Sequence, residues 1–135
     1  MIKVVRLNCA VLDQLLAAAR SEPHLECCGL LAGRHGLISE VLPAQNALRS
    51  ATAYEIAPQE LFALFRRMRE LQLDHLGIYH SHPHTDNAPS PRDIELACYP
   101  TTPYFIVSPR AEVAQPVRAF QISNGQVREL FLDLL

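Results

Sequence analysis

The chain has 135 residues, which is the usual size of one domain and is long enough to bury a core. Apolar residues make up 49% of it and the formal net charge is −2, so no field that would recruit nucleic acid or an anionic membrane is expected. The clustered arginines Arg66, Arg67 and Arg69 fit the solvated face of a helix. Neither a secretory signal nor an apolar run of roughly 18 residues is evident, which predicts one cytoplasmic domain over residues 1–135.

The four cysteines, Cys9, Cys27, Cys28 and Cys98, lack CxxC spacing, so neither a zinc knuckle nor a thioredoxin-type motif is predicted. In a reducing compartment we expect them to be thiols that are mostly buried as small hydrophobic residues. Cys27 and Cys28 are neighbours and would point to opposite faces of a strand. A disulfide between them is therefore not expected.

The N-terminal half predicts two helices among short strands. Asn8 is a candidate cap for the first helix, which Pro23 ends, and Pro58 is well placed to start the second. Gly33 and Gly36 bracket a tight turn. The predicted strands are Ile2–Leu7, Glu26–Ala32, Leu37–Leu42 and Tyr54–Ile56, with the least regular stretch, Pro43–Ala53, before the last of them. The apolar helix positions are Val11, Leu12, Leu15, Leu16 and Ala19 in the first helix and Leu61, Leu64, Phe65, Met68 and Leu71 in the second.

The C-terminal half predicts a third helix and four more strands. Leu76–Tyr79 is a short buried strand that runs into His80. Ser90-Pro91-Arg92-Asp93 has the form of a helix start, and this helix is expected to continue until Pro100. Strands mixed with about three helices predict an α/β sandwich around a mixed sheet. The last three strands are Tyr104–Ser108, Val117–Ser123 and Gln126–Leu132, with a hairpin turn at Asn124-Gly125.

His80 and His82 are two residues apart at a strand end, so both imidazoles leave the same face of the strand. Two histidines alone are weak evidence, because a strand histidine is more often a hydrogen-bonded or surface residue than a ligand. Asp93, on the first turn of the third predicted helix, adds a carboxylate. Two imidazoles and one carboxylate provide three protein ligands and leave the fourth tetrahedral position for water, as in hydrolytic zinc sites.

Ser90 and Asp93 also have a purely structural interpretation, because a serine followed three residues later by an acid can form a capping box. The two interpretations do not exclude each other, since a helix start can present both side chains to a neighbouring site. The complete spacing, His-x-His-x7-Ser-x2-Asp, is a specific pattern that favours a metal site.

The residues His80-Ser81-His82-Pro83, then Ser90 and Asp93, with Glu26 upstream before Gly29-Leu30-Leu31, resemble the signature of the JAMM (MPN+) metallopeptidase family. The resemblance extends over nearly the whole chain, since the order of predicted strands and helices also matches. It implies a fold similar to cytidine deaminase, with a mixed sheet flanked by about three helices, although the deaminase zinc motif is missing.

The resemblance also implies a role for each signature residue. His80, His82 and Asp93 would bind one Zn²⁺ per chain. Glu26 would act as the general base and Ser90 would help to stabilise the oxyanion. Zinc lowers the pKa of a bound water towards ~7, and a neighbouring carboxylate can carry its proton to the leaving amine. Taken alone, Glu26 is also compatible with a solvent-facing strand residue.

The other histidines carry no comparable signal. His84 and Asp86 are candidate extra ligands, but neither matches the family pattern, and a solvated loop tip is the favoured interpretation. His24, His35 and His75 have no partner at informative spacing, and we assign them no function.

Within the family, the similarity is greatest to short bacterial enzymes that act on ubiquitin-like sulfur-carrier proteins. They share the compact chain, the His-Ser-His loop, the Ser-x-x-Asp helix and a tail like Tyr104–Ser108 followed by Arg118–Ile122. This implies hydrolysis after the C-terminal Gly-Gly of such a carrier, with release of cysteine or a short extension. The alternatives are a general isopeptidase and a non-catalytic scaffold, which is disfavoured because every motif position is filled. The carrier, the metal used and the oligomeric state, with a homodimer as one alternative, stay open.

Overall fold

The computed structural model describes residues 4–135, which form seven strands and three helices. The predicted first strand is observed from Val4 onward, and Ile2 and Lys3 lie outside the described residues. The elements in chain order are β1 (Val4–Leu7), α1 (Cys9–Ser21), β2 (Cys28–Arg34), β3 (Leu37–Ala44), α2 (Pro58–Glu70), β4 (Asp74–Ser81), α3 (Pro91–Leu96), β5 (Tyr104–Val107), β6 (Val117–Ser123) and β7 (Gln126–Leu134).

All seven of these strands belong to one mixed sheet, which closes on itself in the order β1-β3-β2-β4-β5-β6-β7. Closure depends on β1, which runs parallel to β3 on one side and to β7 on the other. The predicted mixed sheet with three helices is confirmed. The prediction of a sandwich did not include the closure of the sheet. Val4 pairs with Phe131. Residues so far apart in the chain leave no local sequence pattern that would predict their pairing.

The core is divided between the two faces of the sheet. Leu15 and Ala19 of α1 pack on one face, while Met68 of α2 packs on the other. β2 and β5 are buried on both faces, so the neighbours Leu30 and Leu31 enter different cores. A strand covered on both sides has a continuous apolar sequence, as these two strands have.

Several boundaries follow local signals. α1 ends at Ser21, just before Pro23, although the side chain of Asn8 makes no capping hydrogen bond. The turns at His35-Gly36 and Asn124-Gly125 have positive φ at both residues of each pair. Two successive positive φ angles are typical of type I′ hairpin turns, which match the twist of the flanking strands.

Three segments differ from their prediction. Tyr54–Ile56 forms no strand, because the backbone of Glu55 bonds to the side chain of Asn46 and to the N–H of Ala47 in the loop and not to a neighbouring strand. α3 ends at Leu96 instead of reaching Pro100, because Ala97 has extended backbone with ψ of 118°. β2 begins at Cys28, so the residues immediately before it, including Glu26, lie outside the strand.

Smaller differences concern single residues. Gly33 lies inside β2, at an irregularity of the β2–β3 pairing, and not in the turn. Leu71 follows the last residue of α2 and is 47% exposed instead of buried, because the helix ends before it. All four cysteines are free thiols as predicted, but Cys9 and Cys98 are exposed.

The surface of α2 carries the three clustered arginines, which are exposed as predicted. Among the helices of residues 4–135, none has the length and apolar character needed to cross a membrane.

Candidate metal centre

His80, His82 and Asp93 converge on one point at the end of β4. His80 is the penultimate residue of β4 and His82 follows the strand directly. The two Nε2 atoms are 3.1 Å apart, and Asp93 Oδ2 lies 3.2 Å from Nε2 of His80 and 3.1 Å from Nε2 of His82. The two histidines are buried, with exposed fractions of 1% and 4%.

The triangle formed by these three atoms has the size that a tetrahedral metal ion requires. Ligand atoms bonded at about 2.0–2.1 Å to tetrahedral zinc lie about 3.3 Å from one another, and the observed separations are 3.1–3.2 Å. Nδ1 of His82 is 2.7 Å from the carbonyl oxygen of Asp86, so we assign the ring proton to Nδ1, which donates it to that oxygen. This tautomer leaves the Nε2 lone pair directed at the site. The donor set therefore fits a divalent metal ion.

Asp93 belongs to both the helix cap and the converging group. Its Oδ2 accepts a hydrogen bond from the backbone N–H of Ser90 (2.9 Å), and Ser90 Oγ accepts one from the N–H of Asp93 (3.1 Å). Burial alone would raise the pKa of Asp93, but in the metal-free protein hydrogen bonds from His80 and His82, which form when their Nε2 atoms carry protons, and from the N–H of Ser90 outweigh burial and hold that pKa far below its usual range. Asp93 is therefore an anion at neutral pH, as a metal ligand must be.

Glu26 lies beside the converging group, two residues before β2. Cys28 pairs with His80, which places the residues leading into β2 next to the end of β4. Glu26 is 4% exposed, and its Oε1 has no hydrogen-bond partner within residues 4–135. Burial raises the pKa of Glu26 to about 7, although the charge of His82 opposes the rise. A pKa near neutrality suits a group that first accepts and then donates a proton.

Ser81, between the two histidines, holds the backbone on either side of Glu26. Its Oγ accepts a hydrogen bond from the N–H of Cys27 (2.8 Å) and donates one to the carbonyl oxygen of Leu25 (3.4 Å). The residue is fully buried, so these bonds are shielded from water. The position of Glu26 is thereby coupled to the strand that carries both histidines.

Tyr54 covers the other side of His80. Their rings are stacked, with centroids 4.5 Å apart and an interplanar angle of 22°. Next to this pair lies a cavity of about 340 Å³, whose largely apolar lining includes Ile78 and Leu96, with Asp93 at its edge. The converging group thus faces a cavity that can accept an apolar or extended ligand.

The model of the family described as prokaryotic homologs of the JAB domain matches residues 9–123. The chain belongs to this family. It is 33% identical over 128 residues to the CysO-cysteine peptidase of Mycobacterium tuberculosis (93% of this chain, 88% of the relative) and 32% identical over 124 residues to the desampylase of Haloferax volcanii (90% and 86%). The solution structure of a protein from Desulfitobacterium hafniense is similar with a TM-score of 0.85 and 33% identity, over 98% of this chain and 92% of that one. These findings confirm the family resemblance seen in the signature residues.

The other candidate ligands of this JAB-domain protein lie outside the converging group. His84 is exposed, and its ring centroid is 6.4 Å from that of His24. The Asp86 carboxylate is exposed and lies 3.8 Å from Arg118, while the backbone carbonyl of the same residue orients His82. His75 packs in the α2 region against aromatic rings, away from the site.

Three residues contribute to the site in ways that the sequence does not predict. Ser81 can be noticed in the sequence because it lies between the two histidines of the signature. Its contacts with Leu25 and Cys27, however, depend on the β2–β4 register. Asp86 acts through a backbone carbonyl, which any residue type would provide. Tyr54 was assigned to a strand, and its stacking on His80 joins residues that are distant in the chain.

In the metal-free protein, Glu26→Gln is expected to raise the free energy of unfolding at pH 8. The pKa of Glu26 is about 7 in the folded protein and about 4.5 for an exposed side chain. The folded state therefore binds the proton more tightly, and wild-type stability falls as pH rises from about 4.5 through about 7. Glutamine has no proton to lose, so the variant should be more stable at pH 8 by up to about 3 kcal/mol and show little gain at about pH 5.

Urea unfolding of chelator-treated protein at both pH values measures this difference. Glu40→Gln, at an exposed position of β3, is the matched control and should change stability by less than about 0.5 kcal/mol. A Glu26→Gln variant no more stable than wild type at pH 8 would contradict the buried, unpaired state of Glu26.

Proposed function

We propose that the protein is a zinc-dependent peptidase of the JAMM type, with His80, His82 and Asp93 as the metal ligands. The observation that carries the proposal is the approach of two imidazole nitrogens and one carboxylate oxygen to within 3.2 Å of one another beside a buried glutamate. Similarity to a peptidase over 93% of the chain supports the reaction class. We further propose that residues 1–135 form one catalytic domain, similar in fold to cytidine deaminase.

Zinc is the proposed metal because two imidazoles and one carboxylate form a ligand set of catalytic zinc sites, which keep a fourth position for water. Other divalent ions are compatible with the same ligands, and availability often decides among them. When bound, zinc supplies a Lewis acid and a water nucleophile that is available near neutral pH.

Glu26 is the proposed general base. Its Oε1 has no hydrogen-bond partner within the described residues and would accept the proton of the attacking water, which Glu26 would then pass to the leaving amine. Ser90 is the proposed oxyanion donor. Its Oγ uses a lone pair for the helix cap, so the hydroxyl hydrogen is free to donate to the carbonyl oxygen of the scissile bond. One such donor commonly contributes ~3 kcal/mol to transition-state stabilisation.

The proposed substrate is a ubiquitin-like sulfur carrier whose C-terminal Gly-Gly is joined to cysteine or to a short extension. The relative from Mycobacterium tuberculosis is named for CysO-cysteine, which supports this choice. The relative from Haloferax volcanii is named a desampylase and supports the second candidate, a broader isopeptidase that acts on ubiquitin-like conjugates. An extended tail would enter through the cavity beside Tyr54 and Asp93.

The metal assignment predicts about one zinc per purified chain. His80→Ala and Asp93→Ala each remove one of three ligands and should lower the zinc content at least tenfold, since two remaining ligands cannot hold the ion tightly. His84→Ala, a change at an exposed histidine outside the converging group, should leave the content unchanged. Elemental analysis of the four proteins decides, and full zinc content in both ligand variants would exclude these ligands.

The role of Glu26 predicts a loss of turnover without a loss of metal. Glu26→Gln should lower the rate of hydrolysis on the order of 10²-fold or more, because the amide cannot accept the proton. Its zinc content should match that of the wild type, since Glu26 is not among the three converging ligands. If turnover of the zinc-loaded variant is near normal, the base is another group, with His84 the next candidate.

The substrate assignment predicts cleavage directly after the Gly-Gly of a carrier adduct. A bulky residue in place of the penultimate glycine should slow cleavage much more than a substitution far from the tail, because glycine lets the substrate backbone approach the site closely. Mass spectrometry of the carrier–cysteine adduct, with and without chelator, measures the release of cysteine. If linked ubiquitin chains are cut readily while carrier adducts survive, the broader isopeptidase replaces this assignment.

A further inference from the structure

The loop between β3 and α2 is organised by one half-buried amide, the side chain of Asn46. This side chain uses both its donor and its acceptor group on backbone atoms of five residues. Its Nδ2 donates to the carbonyl oxygens of Glu26 (3.0 Å), Ser50 (3.3 Å) and Ala53 (2.9 Å), and its Oδ1 accepts from the N–H groups of Leu48 (3.0 Å) and Glu55 (3.3 Å).

These bonds reach both sides of the candidate active site. The Glu26 carbonyl is held by Asn46, and the Glu26 N–H donates to the carbonyl oxygen of Ser50 at 2.9 Å. On either side of Tyr54, Asn46 bonds to the carbonyl oxygen of Ala53 and to the N–H of Glu55. Because the Tyr54 ring stacks on His80, one amide connects the proposed base to the packing partner of a proposed ligand.

A turn at this place in the loop requires fewer hydrogen bonds than the Asn46 side chain makes. An Asx turn requires only the bond from Oδ1 to the N–H two residues on, at Leu48, which aspartate or serine would also provide. The bonds to Glu26 and Ala53 require a donor on the same side chain. Of the short side chains that form Asx turns, only asparagine has both a carbonyl and an NH₂ group.

We propose that Asn46 is a positioning residue for the hydrolysis, because its amide fixes the backbone of Glu26 relative to Tyr54 and, through Tyr54, to His80. The proposal rests on the proposed function, in which Glu26 is the base and His80 a ligand. Within the described residues, the hydrogen bonds of the Asn46 side chain do not include the proposed ligands. Its effect is on geometry, and a misplacement of about 1 Å at a reacting group can cost on the order of 10²-fold in rate.

Asn46→Asp keeps the turn-forming oxygen and replaces the donor by an oxygen that faces three carbonyl groups. We expect kcat on the carrier–cysteine adduct to fall about 10- to 100-fold, with KM within about threefold and zinc content unchanged. Ser50→Ala is the matched control in the same loop, because among the described residues the Ser50 hydroxyl bonds to Thr52, within the loop. This control should keep wild-type kcat. Equal losses in both variants, or wild-type kcat in folded Asn46→Asp, would overturn the proposal.

A second measurement needs neither substrate nor metal. In the metal-free protein, the NMR shifts of the His80 ring report the stacked Tyr54 ring through its ring current. Asn46→Asp should change these shifts and expose Arg49, in the same loop, to faster cleavage by trypsin, whereas Ser50→Ala should leave the His80 shifts unchanged. Unchanged His80 shifts in Asn46→Asp would refute the link. A wild-type protein that fails to cleave the adduct would instead refute the proposed function, and the NMR result would still decide the positioning role.

If Asn46→Asp does not fold, Tyr54 provides the test. Tyr54→Ala removes the ring that stacks on His80 and should lower kcat as Asn46→Asp would, while Ser50→Ala again serves as the control. Full kcat in Tyr54→Ala would remove the connection through which Asn46 is proposed to act on His80.

Discussion

One oxygen atom, Oδ2 of Asp93, sets the geometry on which the candidate site depends. It accepts the N–H of Ser90 at the start of α3 and lies within 3.2 Å of Nε2 of both His80 and His82. A buried carboxylate needs donors or a positive charge nearby, since burial of an unpaired ion is costly. With the proton of His82 placed on Nδ1, the backbone N–H of Ser90 satisfies only part of that need. A cation among the three side chains would satisfy the rest.

The remainder of the fold keeps the two halves of this arrangement in place. β4 ends at the histidines and lies between β2 and β5 in the closed sheet, so its position is fixed from both sides. Glu26 is then held from two segments: Ser81 of β4 bonds to its neighbours, and the loop after β3 bonds to its own backbone through Asn46 and Ser50. Each contact connects a different segment to Glu26, and both act on backbone atoms. The side chain of Glu26 is therefore placed through its backbone, and Oε1 has no hydrogen-bond partner within residues 4–135.

The features of this protein that can be predicted from its sequence are local. The spacing of the histidines, the cap formed by Ser90 and Asp93, and the hairpin at Asn124-Gly125 are patterns within a few residues, and each has a direct structural cause. Sheet closure depends on β1, whose four residues pair with strands from the middle and the end of the chain. No local pattern encodes such pairing. The end of α3 was missed for a different reason, since Ile94, Leu96 and Ala97 continue an apolar pattern beyond the last helical residue.

The same distinction applies to the side chains around the site. The signature residues were visible because their spacing is specific, whereas the role of Asn46 depends on contacts with Glu26, twenty residues earlier in the chain, and with the backbone around Tyr54. The segment 54–56 has β-branched and aromatic residues and thus resembles a strand in composition. Its backbone is instead bonded to an amide side chain. A short apolar segment can satisfy its backbone in either way, and the sequence does not distinguish them.

Access to the converging group follows from how its members are buried. His80 is covered by the stacked ring of Tyr54, and both histidines are almost fully buried, so the sheet and this ring close the site on their side. Asp93 borders the apolar cavity, which leaves the cavity as an approach for a ligand. A chain entering there would pass residues of the cavity wall such as Tyr54, Asp93 and Leu96, which restrict its width. Under the proposed function, this restriction would select for glycine at the end of the carrier tail, because a backbone without side chains can approach most closely. Specificity would then arise from the same burial that raises the pKa of Glu26 towards neutrality.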